Sequence, residues 1–168
     1  ASGTQQHFYD VRDVLVETRE GEAITARFAW DALGRRYLKV GAEGIRQYLY
    51  DQTSLLEELD EDDQEVAKYE YGQDHLASFF RRDEPRRYFH LDAVGSVTGL
   101  SDSGGDMLAR YHLDAWGNLR APSEVEALKN RFAFTGYLLD TETDLYYAKA
   151  RFYDPQFGRF TTQDSFLG

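Results

Sequence analysis

At 168 residues the chain has room for one ordinary domain or one slice of a larger repeat assembly, and its 30 acidic against 19 basic residues leave a net charge of −11 that disfavours nucleic acid as a partner. The absence of cysteine excludes disulfides, thiolate zinc sites and a cysteine nucleophile, while leaving the redox compartment open. No stretch of about 18 apolar residues occurs, so no membrane-spanning helix is expected, and the plain ends at Ala1-Ser2-Gly3 and Phe166-Leu167-Gly168 read as those of a piece of something longer, without an export signal of its own.

Along the chain an aromatic-rich stretch ending in Asp recurs: Phe8-Tyr9-Asp10, Phe28-Ala29-Trp30-Asp31, Tyr48-Leu49-Tyr50-Asp51, Phe89-His90-Leu91-Asp92 and Tyr111-His112-Leu113-Asp114. Degenerate copies are Tyr69-Glu70-Tyr71-Gly72 and Phe132-Ala133-Phe134-Thr135-Gly136. Counted at Asp10, Asp31, Asp51, Gly72, Asp92, Asp114 and Thr135, the steps are 20 to 22 residues, a register that identifies a repeat protein. Aromatics two apart, such as Phe28 with Trp30 or Tyr48 with Tyr50, share a face on a strand and splay apart on a helix, so the unit is β.

Each unit contains two turns. Asp followed three residues later by Gly, as in Asp31-Ala32-Leu33-Gly34, Asp92-Ala93-Val94-Gly95 and Asp114-Ala115-Trp116-Gly117, combines a side chain that bonds its own backbone with a residue free to take positive φ. Half a period later come Arg19-Glu20-Gly21-Glu22, Gly41-Ala42-Glu43-Gly44, Asp60-Glu61-Asp62-Asp63, Asp83-Glu84-Pro85, Ser103-Gly104-Gly105-Asp106 and Asp140-Thr141-Glu142-Thr143. Two turns per period leave two strands of about five or six residues; Val14–Thr18 and Ile24–Phe28 are β-branched and aromatic enough to form them. The predicted fold is all-β: tandem hairpins with a period of about 21 residues, making one coiled antiparallel sheet. One short helix is expected near 124–129, from Pro122 and the capping pattern of Ser123 with Glu126. With aromatic residues at 15% of the chain, stability should come from cross-strand aromatic pairs, and open sheet edges should favour self-association.

The Tyr/Phe-x-x-Asp-Ala-x-Gly units resemble the tyrosine-aspartate (YD) repeats of Rhs proteins, of the C subunits of insecticidal toxin complexes and of teneurins. The segments Arg131–Gly136, Asp140–Tyr147, Ala150–Phe160 and Thr162-Gln163-Asp164 resemble the start of the Rhs-associated core. The resemblance implies a repeat array over 1–130 and a truncated core over 131–168, a segment of a hollow shell enclosing a toxin carried at the C-terminal end of the same polypeptide. It implies secretion or delivery from a bacterium, with the remainder of the polypeptide as partner. In that family a core cuts the chain before the toxin with two aspartates, each in an Asp-Pro-x-Gly setting, and an upstream arginine. The matching positions here are Asp164 and Arg151, but Ser165 stands where the proline is usual and the sequence stops before a second such motif. Because an aspartyl dyad needs two carboxyls sharing a proton, these 168 residues are expected to be inert as a protease, and self-cleavage by an aspartyl endopeptidase would belong to the whole polypeptide.

Other residue clusters have plainer readings. His90 and His112 hold the same place in consecutive repeats and lack a third ligand at metal spacing, so repeat packing is expected. The run Asp60–Glu65 lacks the glycine and spacing of a calcium loop and reads as a solvated hairpin tip. Trp30 and Trp116 are the candidates for stacking on sugars, the basis of an alternative function in carbohydrate or cell-surface binding. No cofactor or metal is implied.

Overall fold

The computed structural model describes residues 5–73, 75–120 and 128–163. Eleven strands follow one another as an unbroken antiparallel meander: β1 (Gln5–Tyr9), β2 (Leu15–Glu20), β3 (Ala23–Trp30), β4 (Arg36–Gly41), β5 (Gly44–Asp51), β6 (Ser54–Leu59), β7 (Glu65–Gly72), β8 (His75–Arg81), β9 (Arg87–Leu91), β10 (Val97–Ser101) and β11 (Met107–Arg110). A second antiparallel meander holds β12 (Leu138–Asp140), β13 (Leu145–Ala148), β14 (Arg151–Asp154) and β15 (Arg159–Phe160). The all-β hairpin array is thus as the period predicts. The last marker, Thr135, instead sits in a 3₁₀ turn over Phe134–Gly136 with φ of 48°, so the hairpin period stops at the turn after Asp114. The helix expected near 124–129 lies mostly outside the described residues.

The aspartate of the repeat is a turn builder. At 10–14, 31–35, 60–64, 92–96, 102–106 and 114–118 the fourth residue donates its N–H to the aspartate carbonyl, and the aspartate N–H pairs with the fifth residue's carbonyl. The carboxylate Oδ1 accepts the N–H groups of the third and fifth residues. The fourth residue has positive φ throughout: Asp13, Gly34, Asp63, Gly95, Gly105 and Gly117. This is a three-residue hairpin loop, a type I turn closed by one left-handed residue. Asp51 departs from the pattern, since it pairs with Ser54 across a two-residue turn. Replacing Asp31 by alanine removes two charge-assisted backbone bonds and the Arg35 ion pair from the loop and is expected to cost about 1–2 kcal/mol in urea denaturation, whereas Asp62→Ala, at an exposed tip, should stay within about 0.5 kcal/mol.

A second regularity lies just past the turns that lead into β2, β4, β6, β8 and β10, whether these are aspartate loops or the two-residue turns at 51–54 and 72–75. The pairings run Phe8↔Glu17 then Tyr9↔Leu15, Ala29↔Leu38 then Trp30↔Arg36, Leu49↔Glu57 then Tyr50↔Leu55, Glu70↔Ser78 then Tyr71↔Leu76, and His90↔Gly99 then Leu91↔Val97. One residue is skipped each time, so Val16, Tyr37, Leu56, Ala77 and Thr98 are β-bulges. A bulge breaks the period of two and lets residues three apart face the same way. Two buried columns result: Leu15, Arg36, Leu55, Leu76 and Val97 in one, and Thr18, Lys39, Glu58, Phe79 and Leu100 in the other.

The second sheet lies on that buried face. Rings cross between the sheets at Phe28 with Phe152 (5.4 Å), Trp30 with Tyr147 (5.6 Å) and Trp30 with Phe152 (6.0 Å). Phe132, just before β12, meets Tyr69 at 4.9 Å and Phe89 at 6.4 Å. Cross-strand ring pairs do occur, at Tyr69 with Phe79 and Phe79 with Phe89. Within the second sheet Tyr147 with Phe152 and Tyr153 with Phe160 are cross-strand pairs as well, and the ring contacts that join the hairpin array to residues 132–160 add about 0.5–1.5 kcal/mol per pair beyond area burial.

Candidate functional site: the buried seam between the sheets

In the first buried column every residue is aliphatic except Arg36. Its side chain and that of Asp140 at the end of β12 are both 0% exposed and form an ion pair through Nη1 and Oδ2. Four rings enclose the guanidinium, with centroids 4.6 Å (Tyr147), 4.7 Å (Tyr48), 5.5 Å (Phe28) and 5.8 Å (Phe152) from its central carbon. The Arg36 backbone is held as well: its N–H donates to the Tyr147 hydroxyl at 3.0 Å, and its carbonyl accepts from the Tyr50 hydroxyl at 2.8 Å.

The next column position continues the network. Lys39 Nζ lies 2.9 Å from Glu142 Oε2 and 3.3 Å from Asp140 Oδ1. Burial by itself would raise the Asp140 carboxyl, but the charges of Arg36 and Lys39 and the Arg36 hydrogen bond outweigh it and hold the group below the usual carboxylate range. The reciprocal holds for Arg36 and Lys39, where burial opposes the charge and Asp140 restores it. One repeat further on, Glu58 accepts from the Tyr69 hydroxyl at 2.6 Å, while Arg131 lies 3.9 Å from Glu58 and pairs with Glu43.

A depressed carboxyl contributes stability that is present above its unfolded value and disappears as pH falls through its folded one. The urea midpoint should therefore decline below about pH 4, and Asp140→Asn should flatten that acid limb. A limb of unchanged depth in the variant would remove Asp140 from the account.

A second fastening lies at the turn 114–118. The Tyr146 and Tyr153 hydroxyls donate to the carbonyls of Gly117 (2.9 Å) and Trp116 (3.0 Å), and Asn118 Nδ2 donates to the Pro155 carbonyl (3.0 Å). Beside it a cavity of about 490 Å³ is lined by Arg81, Asn118, Arg131 and Tyr146.

Of the residues that sequence reasoning singled out, Asp164 lies outside the described residues. Arg151 is on β14 with its guanidinium 3.9 Å from the Phe160 ring centroid. Trp30 is partly buried, with edge contacts to Tyr147 and Phe152 and its Nε1 donating to the Leu15 carbonyl. Trp116 remains 58% exposed. His90 lies 3.0 Å from the Ser101 hydroxyl and His112 is exposed. Sequence reasoning missed Arg36, Lys39, Glu58 and the side-chain role of Asp140. The available signal was a cation standing where the neighbouring repeats have Leu15, Leu55, Leu76 and Val97.

The family description of the teneurin YD-shell matches residues 1–167. The chain belongs to the teneurin YD-shell family. Among curated relatives of this YD-shell chain, the tRNA3(Ser)-specific nuclease WapA of Bacillus spizizenii is 34% identical over 98% of it. The double-stranded DNA deaminase toxin A of Burkholderia cenocepacia is 29% identical, also over 98%. The chain spans 7% and 14% of those two proteins. Among solved structures, the Photorhabdus luminescens Tc holotoxin pore superposes with a TM-score of 0.68 over 95% of this chain and 9% of that one, at 18% identity, a likeness of fold. Viewed as a YD shell, the eleven-stranded sheet is wall, and the seam is where the chain's second sheet is fastened to that wall.

Proposed function

We propose that this chain is a stretch of shell wall together with the first, inward-folded part of a core, and that the complete shell encloses a toxin carried C-terminally on the same polypeptide and released outside the producing bacterium. The observation that carries the reading is the seam: an ionic network buried between wall and second sheet fastens the two together. The relatives support it, being named as toxins or nucleases of which a YD-shell stretch forms a small share. The expected result is that limited proteolysis of the full-length polypeptide spares the C-terminal portion, and that Asp140→Ala, by loosening the seam, exposes it. Equal digestion of that portion with and without an intact shell would refute enclosure.

Within the same reading, residues 131–168 open a processing core in which Asp164 is one of two aspartates and Arg151 a positioning residue. Arg151, on β14, stands thirteen residues before Asp164 in the sequence, the spacing at which the resemblance puts the upstream arginine. Intact mass of the full-length polypeptide should change from clipped to unclipped on Asp164→Asn; clipping in both would remove Asp164 from the reaction.

A further inference from the structure

The ladders of the eleven-stranded sheet stop short in a regular way. β2 pairs with β3 as far as Glu17 with Arg27, β4 with β5 from Leu38 with Gln47, and β6 with β7 as far as Glu57 with Lys68. β8 pairs with β9 from Ser78 with Tyr88, and β10 with β11 from Gly99 with Arg110. Leu15, Arg36, Leu55, Leu76 and Val97 each lie two residues beyond such an end, where a backbone carbonyl needs a donor from outside the ladder. In three of the five a ring on the following strand supplies it. Trp30 Nε1 donates to the Leu15 carbonyl at 2.9 Å, the Tyr50 hydroxyl to that of Arg36 at 2.8 Å, and the Tyr71 hydroxyl to that of Leu55 at 3.0 Å.

The row lapses after Tyr71. Leu91 and Leu113 stand where the fourth and fifth rings would be, and an aliphatic side chain has no proton to donate. Space opens at the same two places. Where Trp30 is present, the gap between it, Tyr9 and Leu15 has no room for a water molecule. Beside Leu76 and Leu91 there is a cleft of about 300 Å³, and beside Val97 and Leu113 one of about 330 Å³. Phe134 already brings a ring to the second, which leaves the first. Of its lining residues Leu55, Leu76, Phe132 and Leu138 are buried or nearly so, whereas Thr53, His75 and Lys149 are exposed. Tyr50 and Tyr71 line it too, with their hydroxyls already engaged by backbone carbonyls. The Thr135 hydroxyl also lines it, buried and without a hydrogen-bond partner among the described residues. An apolar interior behind a polar entrance, next to a carbonyl that lacks its ring donor, suits a flat apolar body carrying one polar atom.

We propose that this cleft binds an aromatic ring bearing a hydrogen-bond donor, and that its occupant is a tyrosine or tryptophan side chain of a further polypeptide segment, seated beside Leu91 with its O–H or N–H on the Leu76 carbonyl. The chemistry of the occupant is read from the chain itself. The same carbonyl, at the same point of three other repeats, receives an indole once and a phenol twice. A phenylalanine ring fills the space and leaves the carbonyl unanswered; a serine or threonine hydroxyl is too short to do both. A cationic side chain meets Lys149 in the lining, and like charges repel. The inference goes beyond the shell reading and stands whether or not a toxin is enclosed.

The experiment uses the full-length polypeptide and saturation-transfer NMR with two probes: p-cresol, the side-chain analogue of tyrosine, and toluene, the same ring without the donor. p-Cresol should bind about fivefold or more tighter than toluene, the worth of one net hydrogen bond. Equal affinity, or no binding, overturns the proposal. Photolabelling of the unaltered polypeptide with 4-azidophenol places the site without any substitution: marked peptides should contain Leu76, Leu91 or Leu138, and labelling confined to other regions overturns the assignment. Leu91→Tyr supplies the missing ring from β9 itself and should abolish most p-cresol binding; full binding in a folded Leu91→Tyr polypeptide counts against the site. The last probe is N-acetyl-tyrosinamide, which carries the ring on a peptide backbone. Its competition with p-cresol supports a polypeptide side chain as the occupant, and its exclusion while p-cresol still binds overturns that occupant.

Discussion

Asp140→Ala is expected to lower the unfolding free energy by about 3–5 kcal/mol, because it leaves Arg36 buried without its carboxylate in a site from which water is excluded. The ring cage offsets only part of that charge, at about 2 kcal/mol for a desolvated cation–π contact, and two of the guanidinium nitrogens, Nε and Nη2, already lack hydrogen-bond partners among the described residues. Lys39 keeps Glu142 as a partner at 2.9 Å, so Arg36 carries the penalty. The double variant Arg36→Leu with Asp140→Leu provides the contrast. It restores the aliphatic residue that the same column has at Leu15, Leu55 and Leu76, and replacing a buried pair by apolar residues is often neutral or stabilising by about 1–4 kcal/mol. Urea denaturation should therefore rank the single variant far below the double. A single variant as stable as the parent would mean that the pair is hydrated, and the seam would lose its role as a fastening.

The opposite ranking in function is expected from the same pair of variants. Leucines at 36 and 140 bury as well as the ion pair but do not fix direction, whereas the bond from the Arg36 guanidinium to Asp140 sets the second sheet in one register. Specificity of register is the best-attested use of a buried polar contact. In the full-length polypeptide the double variant should keep its stability yet give a broader proteolytic pattern around 138–148.

Legibility in the sequence divides along the same lines. The aromatic period and the Asp-x-x-Gly turns are local, written in consecutive residues, and they led to the right strands. The bulges are not. Val16, Tyr37, Leu56, Ala77 and Thr98 share no chemistry, and a bulge is fixed by its partner strand. Without them, strict alternation cannot place Arg36 and Lys39 on one face. Their partners also lie more than 100 residues away in sequence, at Asp140 and Glu142, where Asp140 read only as a turn residue. It does begin that turn, through the Thr143 N–H at 3.1 Å, while its carboxylate points the other way. At Asp140 one residue both opens a turn and carries the seam.

Gly117→Ala is the second large effect, and a graded series isolates its cause. Gly34, Gly158 and Gly117 all have positive φ, of 76°, 63° and 91°, so alanine at any of them should cost about 1–2 kcal/mol in backbone strain. They differ in what a Cβ would meet. At Gly34 nothing lies within 4 Å; at Gly158 the Trp116 ring lies at 2.5 Å; at Gly117 the Phe134 ring lies at 2.6 Å. Trp116 is more than half exposed and can swing aside, but Phe134 is stacked on Tyr153 at 5.6 Å and leans on Tyr146 at 6.1 Å, the two tyrosines whose hydroxyls grip this turn. Overpacking there adds about 1–3 kcal/mol. The expected order in urea is Gly34→Ala mildest, Gly158→Ala intermediate and Gly117→Ala worst, at about 3 kcal/mol or more. Phe134→Leu in the Gly117→Ala background should return part of the loss, a coupling that adjacent residues show and distant ones do not. Three equal losses would assign the whole effect to the backbone and leave the ring contact at the 114–118 turn without a part in holding the second sheet.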